Sequence, residues 1–582
     1  MTPTIDLAVT PLTAGSGVLK DRFAFGRLTR SAAGYFGTVG AFSIAINLLY
    51  LAGPLYMLQV YDRAVPSGSG VTLLMLTLAL LLAYMALAGL DAMRARVLTR
   101  ASMHLDNRIA ARIMTEIIDR QSAGEGARSQ LLRDFDDFRQ FVSGAGIHAL
   151  FDLPWTPVYI VVIFMLHWTL GAFALGCGVV LLLMALLNEW LIRSPLIEAN
   201  AAALRNYGFT EMSLRNIQVI RSMGMKGGLL ARWARDRDSM LERQAVASDR
   251  GATTQSAIRF LRLSMQSIIL GIGAYLVIEH SATSGAMFAA SLLLGRALQP
   301  VEQITGAWRN IVSVRSAMRR LRELFAAGAA QPPGLVLPRP AGHVIVENLS
   351  FVADGTSKPI LRGLSFDLQP GEVLGVIGPS GAGKSTLARH LVGVLAPSAG
   401  AVRLDGADIS AWARGSLGQY VGYLPQDIEL FSDTVAANIN RFQPGNDEAT
   451  IKAARLAGVH DLVLRLPHGY DTRVGEGGAV LSGGVRQRLG LARAVYGDPS
   501  LVVLDEPSSN LDGEGEIALL NCIQQLKERK VTVVLVSHQH GTIGVADKLL
   551  VLNDGGLVHF GPRVEILQRL QPRRLNIARS AA

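Results

Sequence analysis

Cysteine is nearly absent. The 582 residues contain two, Cys177 in an apolar stretch and Cys522 far downstream, which excludes a disulfide framework and a cysteine-rich metal cluster. Neither lies near the N-terminus, so no cysteine peptidase domain is expected there. The first thirty residues also lack a cleavable signal pattern, because the first apolar run begins late and continues into a full span. No nucleic-acid motif accompanies the formal charge of +10. Arginines flanking apolar runs read instead as the positive-inside signal of a membrane protein. Apolar residues are plentiful: they make up half the chain and concentrate before residue 310, ahead of a C-terminal part of ordinary globular composition.

A helix needs roughly 20 apolar residues to cross a bilayer core. Six stretches qualify, near 35–58, 71–90, 151–168, 170–190, 261–279 and 284–304. They pair across short external links at Asp62–Ser69, around His167–Trp168 and at Glu279–Ser284. The intervening segments, 91–150 and 191–260, are long and arginine-rich; Arg94, Arg96, Arg100, Arg108 and Arg112 mark the first as cytoplasmic. Residues 326–340, AAGAAQPPGLVLPRP, read as a linker. The expected organisation is a short cytoplasmic segment over 1–30, a six-helix membrane domain over 31–325, a linker over 326–342, a globular domain over 343–575 and a tail over 576–582. Arg296, inside the sixth stretch, has two readings. It either lines a path through the membrane or pairs with a nearby carboxylate such as Glu302 on a cytoplasmic extension of the helix. Asp62 and Arg63 read as an interfacial turn rather than a substrate site.

The globular part opens with a phosphate-binding loop. Gly378, Pro379, Ser380, Gly381, Ala382, Gly383, Lys384 and Ser385 read GPSGAGKS. Such a loop aims backbone N–H groups, those of Thr386 included, at the β- and γ-phosphates. The lysine adds a compact positive charge, and the serine hydroxyl can ligate Mg²⁺. Its context is the required one, with an apolar strand Val373–Ile377 before it and a helix starting near Thr386 after it. A second buried strand, Leu501–Leu504, ends in Asp505 and Glu506, where a metal-facing carboxylate and a general base belong. Between these lies Leu481-Ser482-Gly483-Gly484.

In this order the motifs resemble the nucleotide-binding domain of an ABC transporter. The resemblance implies an α-helical six-span transmembrane domain joined to an α/β P-loop domain, with ATP and Mg²⁺ as cofactors. Mg²⁺ would be held by Ser385 and, at one remove, Asp505, with Gln426 of YLPQD sensing it. Glu506 would be the general base and His538 of LVSHQH would touch the γ-phosphate. Asp512 of SSNLD would lie between subunits, and Thr472–Glu476 would communicate with the membrane part. Ser482, Gly483 and Gly484 would complete the site of a second copy, so the working unit would be a homodimer. Two departures stand out. Val485 replaces the glutamine usual after the signature, and Ala353 falls where the family stacks adenine on an aromatic, leaving Phe351 as a stand-in.

The membrane half narrows the branch. YMLQVYDRAVPS (Tyr56–Ser67), DLPWTPVYIVVIFMLHWTLG (Asp152–Gly171) and the block Ile220–Trp233 resemble transporters of bacterial type I secretion systems, in particular the protease-, lipase- and haemophore-exporting branch. That implies a multi-pass protein of the bacterial inner membrane, embedded in its lipids, that exports an unfolded protein with a C-terminal signal. Its partners would be a periplasmic membrane-fusion adaptor and an outer-membrane tunnel protein; no nucleic acid is implied. The competing readings are an exporter of lipid, glucan or small peptide, and a nucleotide-gated regulatory membrane protein.

Overall fold

In the computed structural model the described residues are 32–119, 125–328, 334–353, 356, 358–443, 445–475, 478 and 480–570. The 1–30 segment, the 576–582 tail, residues 329–333 of the linker and Glu476 lie outside them. The chain divides into two compact units between residues 331 and 332, within the stretch 326–342.

The first unit is helical: α1 (Ala33–Leu49), α2 (Ala52–Gln59), α3 (Gly70–Asp119), α4 (Glu125–Ser143), α5 (Ala145–Asp152), α6 (Thr156–Leu166), α7 (Trp168–Arg215), α8 (Lys226–Ile278), α9 (Ser284–Gly306) and α10 (Trp308–Gly328). Helices of 50, 48 and 53 residues reach about 75 Å at 1.5 Å per residue, well beyond a hydrocarbon core of about 30 Å. Three apolar stretches and the arginine-rich segments adjoining them are therefore parts of continuous rods. Among the described residues, five stretches are long and apolar enough to cross a membrane: Ala33–Ser67, Gly70–Ile118, Gly146–Leu166, Trp168–Arg215 and Lys226–Ile278. The sixth expected stretch is helical as α9, but Arg296, Gln299, Glu302 and Gln303 in its second half keep it below that standard.

The first external link differs from expectation. Val60–Ala64 form a π-helical turn and Val65–Ser67 another helical turn, so only Gly68 and Ser69 break the chain before α3. Asp62 is therefore on a helix. Its carboxylate accepts hydrogen bonds from the Gly285 N–H at 2.8 Å and the Thr283 hydroxyl at 2.7 Å, which caps the start of α9. Tyr61 stacks on Phe288 at 4.2 Å beside it.

The second unit contains two sheets. A four-stranded antiparallel sheet has the order β2-β1-β4-β5, with β1 Val344–Val352, β2 Pro359–Leu368, β4 Ala399–Leu404 and β5 Ala407–Asp408. A six-stranded sheet has the order β10-β9-β3-β8-β7-β6, with β3 Val373–Ile377, β6 Val421–Leu424, β7 Leu501–Asp505, β8 Thr532–Val536, β9 Lys548–Asn553 and β10 Gly556–Pro562. Strands β9, β3, β8, β7 and β6 run parallel. Their central members are apolar throughout, as covering on both faces requires. Val502, Leu504, Val533 and Leu535 pack into one core, and Leu501, Val503, Val534 and Val536 into the other. Because the four strands β3, β8, β7 and β6 are parallel neighbours, the loops at their carboxyl ends lie along one edge of the sheet. That edge is where open parallel sheets bind ligands.

Candidate active site

The loop after β3 needs its glycines. Gly378, Gly381 and Gly383 have φ of 155°, 79° and 93°. A side chain on Gly378 would come within 2.3 Å of the Leu552 carbonyl oxygen, and one on Gly383 within 2.7 Å of Leu361. Gly381 faces open space. Helix α11 (Lys384–Leu391) begins at Lys384, two residues before the expected start, so the phosphate-facing N–H groups are those of a helix N-terminus. The Lys384 ammonium bridges the Gly378 and Pro379 carbonyls at 2.9 and 3.0 Å, spanning its own loop. Burial pulls its pKa down, and Glu506 and Asp505 oppose that pull.

Asp505 ends β7, 2% exposed, and its Oδ1 has no hydrogen-bond partner. Burial raises its pKa, while a hydrogen bond from Ser385 and the charges of Arg389 and Lys384 work the other way. An unpartnered carboxylate oxygen beside a serine hydroxyl and a phosphate loop suits a hard, oxygen-seeking divalent cation. The described residues contain no cluster of three His, Cys, Asp or Glu able to hold a metal by themselves, so the fit is to an ion that takes its remaining ligands from phosphate and water.

Glu506 follows with φ 49°, a backbone state that costs a non-glycine residue roughly 1 kcal/mol or more. Three features hold it there. Its N–H donates to the Val536 carbonyl at 2.9 Å. The Gln426 amide, from the loop after β6, donates to its Oε2 at 3.3 Å. His538 Nε2, from the loop after β8, lies 3.9 Å from Oε1. Two distant motifs thus converge on one carboxylate. Gln426 engages Glu506 in this structure, so any metal contact would fall to its other amide atom.

Ser482 caps helix α12 (Gly483–Val495), accepting from Val485 N at 3.4 Å. A methyl group on Gly484 would approach the Asn510 carbonyl at 3.2 Å, and one on Gly483 the Asn510 side chain at 3.6 Å. The described contacts of this triplet run to its own helix and to Asn510, away from the phosphate loop. Asp512 caps helix α13 (Gly513–Glu528) through Gly515 N at 2.9 Å and pairs with Arg488 at 2.8 Å. Those bonds, the backbone one first, hold its carboxyl below the usual range. Thr472 is buried, its hydroxyl accepting from His468 N, and its carbonyl accepts from Val435 N.

One expectation needs correction, and another meets an engaged residue. Phe351, the stand-in for an adenine platform, is half-buried: its ring meets buried His390 in a T-shaped contact with centroids 4.8 Å apart and packs against the core beside β1. Arg296 does not pair with Glu302, which is bound by Arg262 at 2.6 Å and Arg259 at 3.6 Å. Arg296 instead lies over the Tyr50 ring at 4.0 Å and donates to Gln299 at 3.2 Å. It lines a cavity of about 800 Å³ within the helical unit, together with Arg94, Asp91, Asp152 and Tyr159. Arg94 is 4% exposed and binds Asp152, Asp91 and Ser43 at 2.8–3.0 Å.

Gln487 gave no signal in the sequence. It is buried and donates to the Glu506 and Pro507 carbonyls at 3.3 and 2.9 Å, tying α12 to the strained turn. A polar residue at that helical spacing looks like any solvated position, and only the fold brings it under β7.

Comparison with known proteins agrees with this geometry. Residues 36–301 match the family described as "ABC transporter transmembrane region" and residues 361–509 that described as "ABC transporter". The chain is 42% identical to the "Type I secretion system ATP-binding protein PrsD" of Rhizobium meliloti (strain 1021), over 92% of this chain and 93% of that one. It is 28% identical to the "Leukotoxin translocation ATP-binding protein LktB" of Mannheimia glucosida, over 90% and 75%. A solved structure of a bacterial Atm1-family ABC exporter with ATP bound superimposes with a TM-score of 0.75, covering 94% of this chain and 96% of that one at 24% identity.

Proposed function

The chain belongs to the ABC transporter family, and we propose that it works as a homodimer in which two copies enclose two ATP and drive protein export. It is an ATP-hydrolysing exporter of the type I secretion kind. The observation that carries the ATPase reading is the convergence of Gln426 and His538 on Glu506, beside Asp505 and the Lys384 loop. In it, Gly378 to Thr386 cradle the phosphates, and Lys384 neutralises them. Mg²⁺, when bound, screens the phosphate charge; Ser385, Asp505 and the free atom of Gln426 are the groups available to hold it. Glu506 takes a proton from the attacking water, His538 steadies the γ-phosphate, and Gln487 keeps the Glu506 turn in register. The described contacts of Ser482, Gly483 and Gly484 are with Val485 and Asn510 and none is with the phosphate loop, which supports their serving a second copy, with Asp512 near the junction.

The membrane domain, taken as residues 31–325 with α9 as a sixth span, sits in the bacterial inner membrane; 326–342 links it to an ATPase domain over 343–575. The cargo is an unfolded protein with a C-terminal signal, delivered to a periplasmic membrane-fusion adaptor and an outer-membrane tunnel. The relatives named for type I secretion and leukotoxin translocation support this over a lipid or glucan cargo. The test is deletion of this gene. One protein should disappear from the medium, and shortening that protein's C-terminus should have the same effect. Altered envelope lipids with an unchanged secretome would sink the reading.

A further inference from the structure

We propose that Arg296 is a carboxylate-binding subsite in the cavity of the helical unit, and that it receives an acidic group of the polypeptide in transit. The inference rests on the protein-export reading and adds the chemistry that holds the chain. Arg296 is twelve positions into α9, about 18 Å along it, close to the middle of a bilayer core. A cation at that depth requires a partner or a wet cavity, and here it has the cavity. The other arginine of the lining is already paired, since Arg94 holds both Asp91 and Asp152. Among the described residues Arg296 has no carboxylate partner; its contacts are the Tyr50 ring and the Gln299 amide. The Tyr50 ring holds the guanidinium in place, and one of five N–H donors is used, so the remaining donors can bind a carboxylate in a two-bond fork.

The wall beyond it suits an extended chain. Gln299, Gln303, Asn310 and Gln140 line the cavity, and each amide brings both a donor and an acceptor, as a main chain without secondary structure demands. Ser313, also in the lining, donates to Asp137 at 3.3 Å, so that carboxylate is already engaged.

The test uses the full chain in nanodiscs with three fluorescent, unstructured peptides of one neutral sequence: fully neutral with an amidated end, amidated with two internal glutamates, and neutral with a free C-terminal carboxylate. Wild type should bind at least one carboxylate-bearing peptide roughly tenfold tighter than the neutral one, a charge-assisted hydrogen bond being worth about that. The two acidic peptides distinguish a side-chain source from a chain end. Arg296→Gln should abolish the preference while the neutral peptide still binds, and Arg296→Lys should keep part of it, having the charge but not the fork. Glutarate should raise the melting temperature of wild type and not of Arg296→Gln. Glutarate stabilisation that needs Arg296, with no peptide bound, would remove the polypeptide reading and leave the subsite. A carboxylate preference that survives in Arg296→Gln, or equal affinity of wild type for all three peptides, would overturn the subsite itself.

Discussion

Glu506, the proposed general base, is held by an amide on one oxygen and an imidazole near the other. Replacing it with glutamine keeps the shape and removes the proposed base. Glu506→Gln should bind ATP as wild type does and lose about 10²-fold or more in turnover, measured by nucleotide binding and phosphate release; unchanged turnover would assign the water to another group. Phe351 and Ala353 give an opposed pair. Phe351→Ala opens the contact with His390 and should cost about 2 kcal/mol or more of domain stability, with ATP affinity unchanged in the folded fraction. Ala353→Tyr supplies the missing platform and should tighten ATP binding roughly threefold to tenfold, from a stacking contact of about 0.5–1.5 kcal/mol. The reverse pattern would mean that adenine already rests on Phe351. At this scale the loop Gly378 to Ser385 and the strand ending in Asp505 and Glu506 could be placed from the sequence, because a glycine-rich turn after an apolar strand constrains residue type directly. Gln487 could not, because its role is set by which strand its helix covers.

At the scale of elements, the Asp62 cap joins the first membrane hairpin to α9 across more than two hundred residues. The strain-free fit depends on Gly285, where an added methyl would come within 2.7 Å of the carboxylate. Asp62→Ala should lower stability by about 1 kcal/mol, the usual value of an N-cap, and Gly285→Ala should cost at least as much by displacing the same carboxylate. Arg63→Ala, on the exposed side of that turn, should be within about 0.5 kcal/mol of wild type. Thermal unfolding of the solubilised protein separates these; equal melting temperatures for Asp62→Ala and Arg63→Ala would remove the cap as a stabilising element. Hydropathy located the apolar stretches well, yet it broke α3, α7 and α8 into a span and a separate segment. Polarity changes where a helix leaves the membrane, while its backbone hydrogen bonding does not.

For the whole molecule, the proposal that the signature triplet completes the site of a second copy requires cooperation between copies. A Lys384→Ala copy paired with a Ser482→Arg copy should retain at most one intact composite site, whereas either variant alone should have none. Turnover of the mixed population against the mixing ratio measures this. Activity of an isolated monomer that did not depend on concentration would be incompatible with the shared site.

What sequence alone determined was the chemistry that depends on residue type and local spacing: the glycine-rich loop, the strand ending in Asp505 and Glu506, the apolar stretches and a linker within 326–342. Local backbone geometry and the transfer of apolar surface from water dictate these without reference to distant residues. Tertiary structure alone decided the partners. It assigned Glu302 to Arg262 and Arg259, left Arg296 over Tyr50 at a cavity, set Phe351 against His390 and put Asp62 on the start of α9. A charge or a ring satisfies itself with whatever group the fold brings within a few ångströms, and proximity along the chain says little about which group that will be.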